Sequence, residues 1–195
     1  MKKMIAISMM LVMSIVGLVF GYKSLKMEDV IEDIKLEVPF LSDDQPVTAT
    51  VKTIAKPFKD ENVKTLVDFY DSSKDNQEKS IIVIDKTYIQ NKGVLYKSDK
   101  TFDVLSIYDG IVIDVGKDDL TGNYIVINHD NDLVATYKIL NSVSLKKGDQ
   151  VKKNDKLGTG GNSQIAQGYL LLLELKNKNM FVNPENYYNK SIKEI

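Results

Sequence analysis

Gly168-Tyr169-Leu170-Leu171-Leu172-Leu173-Glu174-Leu175 decides how the rest of the chain is read. A run this short, and apolar apart from one acid, predicts a strand covered on both faces in the middle of a sheet. The two-residue period of a strand sets Leu170, Leu172 and Glu174 on one face. Tyr169, Leu171, Leu173 and Leu175 fall on the other. A carboxylate in such a strand requires either water at the strand end or hydrogen-bond donors around it.

Outward from this stretch the pattern stays β. Residues 48–54 alternate apolar and polar, residues 63–70 form another candidate strand, and the β-branched residues 80–85 read as a buried strand. Residues 102–107 and 111–115 flank Asp109-Gly110, which predicts a tight hairpin with positive φ. Residues 124–128 and 133–137 follow, joined through His129-Asp130-Asn131-Asp132. Val143, Val151 and Leu157 then alternate with turns at Lys147-Gly148-Asp149, Lys153-Asn154-Asp155 and Gly158-Thr159-Gly160-Gly161. Short strands at such spacing predict a mainly β fold with a two-sheet antiparallel core of sandwich or barrel type. Near the end, Asn183 is placed to cap a helical turn with Pro184 at its first position.

The composition narrows the chemistry. Of 195 residues, 43% are hydrophobic, enough for one domain and an appendage. Twenty-six basic residues, all lysine, nearly balance 27 acidic ones, so net charge implies no nucleic-acid partner. The absence of cysteine excludes disulfides, thiolate metal sites and cysteine nucleophiles. The single histidine, His129, is too few for an ordinary catalytic zinc site. It would suffice for a Ser-His-Asp triad, but no Gly-x-Ser-x-Gly elbow occurs. Asp118, Asp119, Asp130 and Asp132 lack the twelve-residue loop and closing glutamate of a calcium site and read as solvated turns.

Lys2 and Lys3 precede an uncharged run over residues 4–22. As a helix this run is about 28 Å long, close to the hydrocarbon thickness of a bilayer. It ends in Gly21-Tyr22-Lys23, without the small-x-small site of a cleaved signal peptide, so an uncleaved single-pass anchor is expected. The leading lysines keep the N-terminus cytoplasmic and place the remainder of the chain outside. The expected organisation is a cytoplasmic tip and anchor over residues 1–25, a stalk and linker over 26–46 and an extracytoplasmic β domain over 47–195.

Five phrases in order carry a family resemblance. They are Tyr124-Ile125-Val126-Ile127-Asn128-His129, then Thr136-Tyr137-Lys138-Ile139-Leu140, then Gly148-Asp149-Gln150-Val151 through Gly158, then Gly168 to Glu174, then Val182-Asn183-Pro184-Glu185. Together, over about residues 88–188, they resemble LytM-type (lysostaphin-like, peptidase M23) domains. The resemblance implies a two-sheet β core that in active members holds zinc and cleaves cell-wall peptide cross-links. The family's His-x-Gly-x-Asp motif falls on Asn91-Lys92-Gly93-Val94-Leu95, with Asn91 and Leu95 at ligand positions. Its Tyr-x-His-Leu motif falls on Tyr137-Lys138-Ile139-Leu140, so Ile139 replaces a histidine. Its His-Leu-His-Phe-Glu motif falls on Leu170-Leu171-Leu172-Leu173-Glu174, where Leu170 and Leu172 replace both histidines.

By the same resemblance Gly93, His129, Tyr137, Gly148, Glu174, Asn183 and Pro184 are retained framework. Hydrocarbon side chains have no lone pair for a metal, so neither metal nor cofactor is expected, and the chain is not expected to be an enzyme. Leu170 and Leu172 are expected to fill the cleft as core.

The single anchor, Leu66-Val67-Asp68-Phe69-Tyr70-Asp71, Lys86-Thr87-Tyr88 to Gly93 and Lys100-Thr101-Phe102-Asp103-Val104 resemble the family's membrane-anchored sporulation branch. That implies a forespore-membrane protein facing the intermembrane space. There it would bind a mother-cell membrane protein of the stage III sporulation AH type, in a channel and engulfment complex. Residues 143–158 also resemble lipoyl-type and membrane-fusion adaptor domains, so an exporter component is the alternative. A peptidoglycan-binding protein that has lost its active site is a further one.

Overall fold

The structure is a computed structural model and describes residues 52–194 apart from positions 76 and 85. The expected span over residues 4–22, the stalk over 26–46 and the beginning of the strand expected over 48–54 lie outside the described residues. Among the described residues no helix is long and apolar enough to cross a membrane. All of them belong to one compact unit, Ala49–Ile195.

The fold is mainly β, and every strand pairing is antiparallel. The strands are β1 (Lys64–Val67), β2 (Ile81–Ile84), β3 (Thr87–Gln90), β4 (Gly93–Ser98), β5 (Asp103–Leu105) and β6 (Gly110–Asp118). There follow β7 (Gly122–His129), β8 (Leu133–Val143), β9 (Gln150–Val151), β10 (Lys156–Ser163), β11 (Ala166–Asn177) and β12 (Met180–Val182). Ten strands make one continuous sheet in the order β1-β4-β11-β10-β8-β7-β6-β9, with β12 on β11 and β5 on β10. The second sheet is only the β2–β3 pair.

The quoted stretch is central, as its apolar content requires. β11 pairs with β4 from Tyr169↔Ser98 to Glu174↔Gly93, and on its other side with β10 and then β8. Its two faces serve two separate cores. Leu171, Leu173 and Leu175 join Val94, Tyr96, Ile125, Ile127 and Tyr137 in the main core. Leu170 and Leu172 join a smaller cluster on the opposite face. Each fully buried leucine contributes about 1.5–3 kcal/mol, so both faces of β11 stabilise the fold.

Four expectations about local structure are corrected. Lys52, Thr53 and Ile54 form no strand: Thr53 makes an isolated bridge to Ser191, and Ile54 donates to Lys190 O at 2.9 Å. Of residues 63–70 only β1 enters the sheet, because the Asp68 and Tyr70 amides turn away to Lys79 O and Asn91 O. The strand expected to be buried over 80–85 is β2, half-buried, with Val83 46% exposed. Finally, Asp109-Gly110 is no hairpin turn. β5 pairs with β10, not β6, and Gly110 is not at positive φ. A Cβ at Gly110 would lie 2.6 Å from Asn128 O and 2.7 Å from His129 Nδ1, so close approach of β7 excludes a side chain there. Positive φ falls instead in the three-residue β7–β8 connection, at Asn131 (61°) and Asp132 (57°), residue types that tolerate it.

Candidate functional site

β8 reaches the smaller cluster through a bulge. Leu133, Ala135 and Tyr137 face the main core, and by strict alternation Ile139 would follow them. Opposite this point Asn123 pairs with Leu140 and Tyr124 with Lys138, leaving Ile139 as the extra residue. Its φ is 63° and its amide donates to Thr121 O at 2.9 Å. The bulge returns Leu140 to the main core and turns Ile139 to the other side. A β-branched residue at positive φ is a conformational outlier, held only where the surroundings impose it.

There Ile139 meets Leu95, Leu170, Leu172, Ile82 and Ile84, none more than 8% exposed. Leu172 sits directly across from Leu95 in the β11–β4 register. These four positions of β4, β8 and β11 are the ones the sequence singled out as degenerate ligand or histidine positions, and the structure brings them into one contact cluster. Asn91, also singled out, does not join it. Its side-chain amide donates to Val67 O and Asp68 O, each at 3.0 Å, and its carbonyl oxygen accepts from the Gly93 amide at 3.2 Å. Asn91 therefore ties β1 to the start of β4. Zinc does not fit this donor set, because four hydrocarbon side chains supply no lone pair and the one amide is committed elsewhere.

Glu174 is neither at a strand end nor surrounded by backbone donors. It accepts from Lys138 Nζ at 2.9 Å, an ion pair whose side chains are 15% and 26% exposed. Lys138 precedes the bulged residue, and no pattern in the sequence marked it as the partner.

The other framework residues hold the scaffold. Tyr137 is fully buried, its hydroxyl accepts from the Ile107 amide at 3.0 Å, and burial raises its pKa far above the ordinary phenol value. Gly93 lies so close to the Leu173 carbonyl that no side chain fits. Gly148 turns at φ 96° before β9. Asn183 accepts from the Glu185 amide at 3.0 Å and caps the 3-10 turn Pro184–Asn186.

His129 is 3% exposed and lies within hydrogen-bond distance of Asp109 O, 2.8 Å from Nδ1. A carbonyl only accepts, so Nδ1 carries the proton, and Nε2 is buried without a partner among the described residues. Burial lowers its pKa to about 4, against opposing contributions from the Asp109 carbonyl and the charges of Asp130 and Asp109. Burial would raise the pKa of Asp109. Hydrogen bonds from Lys52 and from the Lys153 amide, with the charges of Lys52 and Lys152, outweigh this and hold it below the usual carboxylate range. Asp118 accepts from the Leu120 and Thr121 amides and the Thr121 hydroxyl, closing a turn.

The profile of Peptidase family M23 matches residues 89–184. Stage II sporulation protein Q of Bacillus subtilis strain 168 is 30% identical over 156 residues, which cover 76% of this chain and 55% of that protein. The chain thus spans about half the length of this curated relative. A chain of the solved SpoIIQ–SpoIIIAH pore-forming complex superposes with a TM-score of 0.69 at 27% identity, covering 74% of this chain and 96% of that one. A second SpoIIIAH and SpoIIQ complex gives a TM-score of 0.65 at 28% identity, covering 69% and 99%. Residues 89–184, just under half of the chain, thus match peptidase family M23 in their ordered motifs and in the β framework that positions them.

Proposed function

We propose that this chain is a catalytically inactive M23 domain that works by protein–protein contact in endospore formation. One observation carries the loss of activity: Leu95, Ile139, Leu170 and Leu172 pack with Ile82 and Ile84 into a single apolar cluster. These are positions where active members of the family would place metal ligands and histidines. Without a metal nothing at the site lowers the pKa of an attacking water.

The likeness to stage II sporulation protein Q, and to chains solved in complex with SpoIIIAH, supports an AH-like mother-cell protein as the partner. The uncharged run over residues 4–22 supports a single-pass anchor, with residues 47–195 outside the cytoplasm, in the space between forespore and mother-cell membranes. Pairing at a sheet edge is the mode such an all-β domain favours, since main-chain groups supply the bonds. The filled cleft argues against the alternative of a peptidoglycan-binding protein.

Affinity capture of a tagged full-length copy, after mild cross-linking, tests the reading. Recovery of an AH-like protein from sporulating cells and its absence from vegetative cells is the expected result. Recovery of exporter subunits from growing cells would replace this reading with the adaptor.

A further inference from the structure

The β2–β3 hairpin stands apart from the ten-stranded sheet. Among the described residues its two strands pair only with each other, from Ile81↔Gln90 to Ile84↔Thr87. At its base the Asp68 amide donates to Lys79 O at 2.9 Å and the Asn91 amide to Ser80 O at 3.0 Å. Its inner face carries Ile82 and Ile84, 5% and 8% exposed, with Ile89 partly buried against the same cluster. The outer face carries Val83 and Tyr88, cross-strand neighbours that are 46% and 74% exposed. The hairpin is thus a two-stranded flap, bonded to the rest of the chain at its root and apolar underneath.

What lies beneath it is the set Leu95, Ile139, Leu170 and Leu172. We propose that the β2–β3 hairpin is a built-in lid that occupies the cleft over the degenerate M23 site and shuts it against any peptide or glycan. This rests on the reading of the site as inactive and adds a separate claim: the chain's own hairpin sits where a substrate would have to lie. The leucines and the isoleucines over them are matched, since histidines beneath this hairpin, or polar residues on its underside, would bury polar groups against apolar ones. The lid is held by side-chain packing, so loosening its underside exposes one face of β11 and leaves the other closed.

The chain has no cysteine, so an introduced thiol reports on its own position alone. Three single-cysteine versions of the full-length chain suffice: Leu172→Cys under the lid, Leu171→Cys in the main core and Tyr88→Cys on the outer face. Each is labelled with a maleimide under native conditions, with and without Ile84→Ala. The expected result is labelling at 172 at least 100-fold slower than at 88, accelerated at least tenfold by Ile84→Ala while 171 stays protected. Labelling at 172 as fast as at 88 in the parent overturns the lid. So does an Ile84→Ala effect that is nil at 172, or equal at 171 and 172, because the cluster would then be shielded by the fold as a whole. Metal binding or partner capture bears on the proposed function and leaves these rates untouched, so the two can fail separately.

Discussion

Ile139 holds a backbone conformation that a β-branched residue adopts only under constraint, at the bulge of β8, where two successive side chains, Lys138 and Ile139, leave the main core. The left-handed region costs an ordinary residue about 1–2 kcal/mol and glycine essentially nothing. Substitution therefore inverts the usual ranking. Both Ile139→Ala and Ile139→Gly lose buried hydrocarbon and fall below the parent by about 2–5 kcal/mol. Between them, glycine is expected to be the more stable by about 1 kcal/mol in urea unfolding. An alanine variant more stable than the glycine variant would mean that the bulge relaxes once the side chain is cut back.

His129 gives a pH signature. Its pKa is about 4 when folded, from an ordinary value of 6.5, so between these limits the unfolded chain binds more protons. The stability that the neutral ring contributes is complete above pH 6.5 and is lost as pH falls through 4, a change of roughly 3 kcal/mol at 1.36 kcal/mol per pKa unit. His129→Asn keeps a donor for the Asp109 carbonyl and has no titrating ring. Urea midpoints measured from pH 7 to 4 are expected to fall more steeply for the parent than for this variant, and parallel curves would contradict the burial argument.

At the scale of elements, the central strand was legible because its residues alternate between two apolar environments, and β11 divides them as period two requires. The β7–β8 hairpin was legible too, since Asn131 and Asp132 tolerate positive φ. The bulge in β8 was not, because isoleucine carries no signal for that conformation and only the register against β7 reveals it. Gly110 misled for a related reason. Glycine answers to close approach as well as to turns, and the neighbour that excludes a side chain, β7, is distant in sequence. The apolar run Ile81-Ile82-Val83-Ile84 showed that a strand exists but not which sheet it joins. That choice rests on Ile82 and Ile84 meeting residues up to ninety positions away.

Elements that few contacts secure open first. Amide hydrogens of β2 and β3 are accordingly expected to exchange at least tenfold faster than those of Leu171 to Leu173, by native-state exchange. Equal protection would make the hairpin part of the global unfolding unit.

For the molecule as a whole, the proposed loss of the metal site has a thermodynamic consequence. A ligand that binds only the folded state stabilises it by RT ln(1 + [L]/Kd), about 4 kcal/mol at a thousandfold excess over Kd. In a domain of about 150 residues each kcal/mol moves Tm by roughly 2–4 °C. A family member with an intact site therefore gains on the order of 10 °C from zinc and loses it to a chelator. In this chain hydrocarbon occupies the corresponding space, and the two apolar clusters on either face of β11 carry the load. Its Tm is expected to be the same, within about 1 °C, in excess zinc and in excess EDTA, by calorimetry on the purified full-length chain. A rise of several degrees with zinc, abolished by EDTA, would show metal bound to the folded state. Repeating the scan with Leu172→Ala would then locate it: a shift that persists places the metal away from the leucine cluster, and one that changes places it there and ends the reading of this site as core.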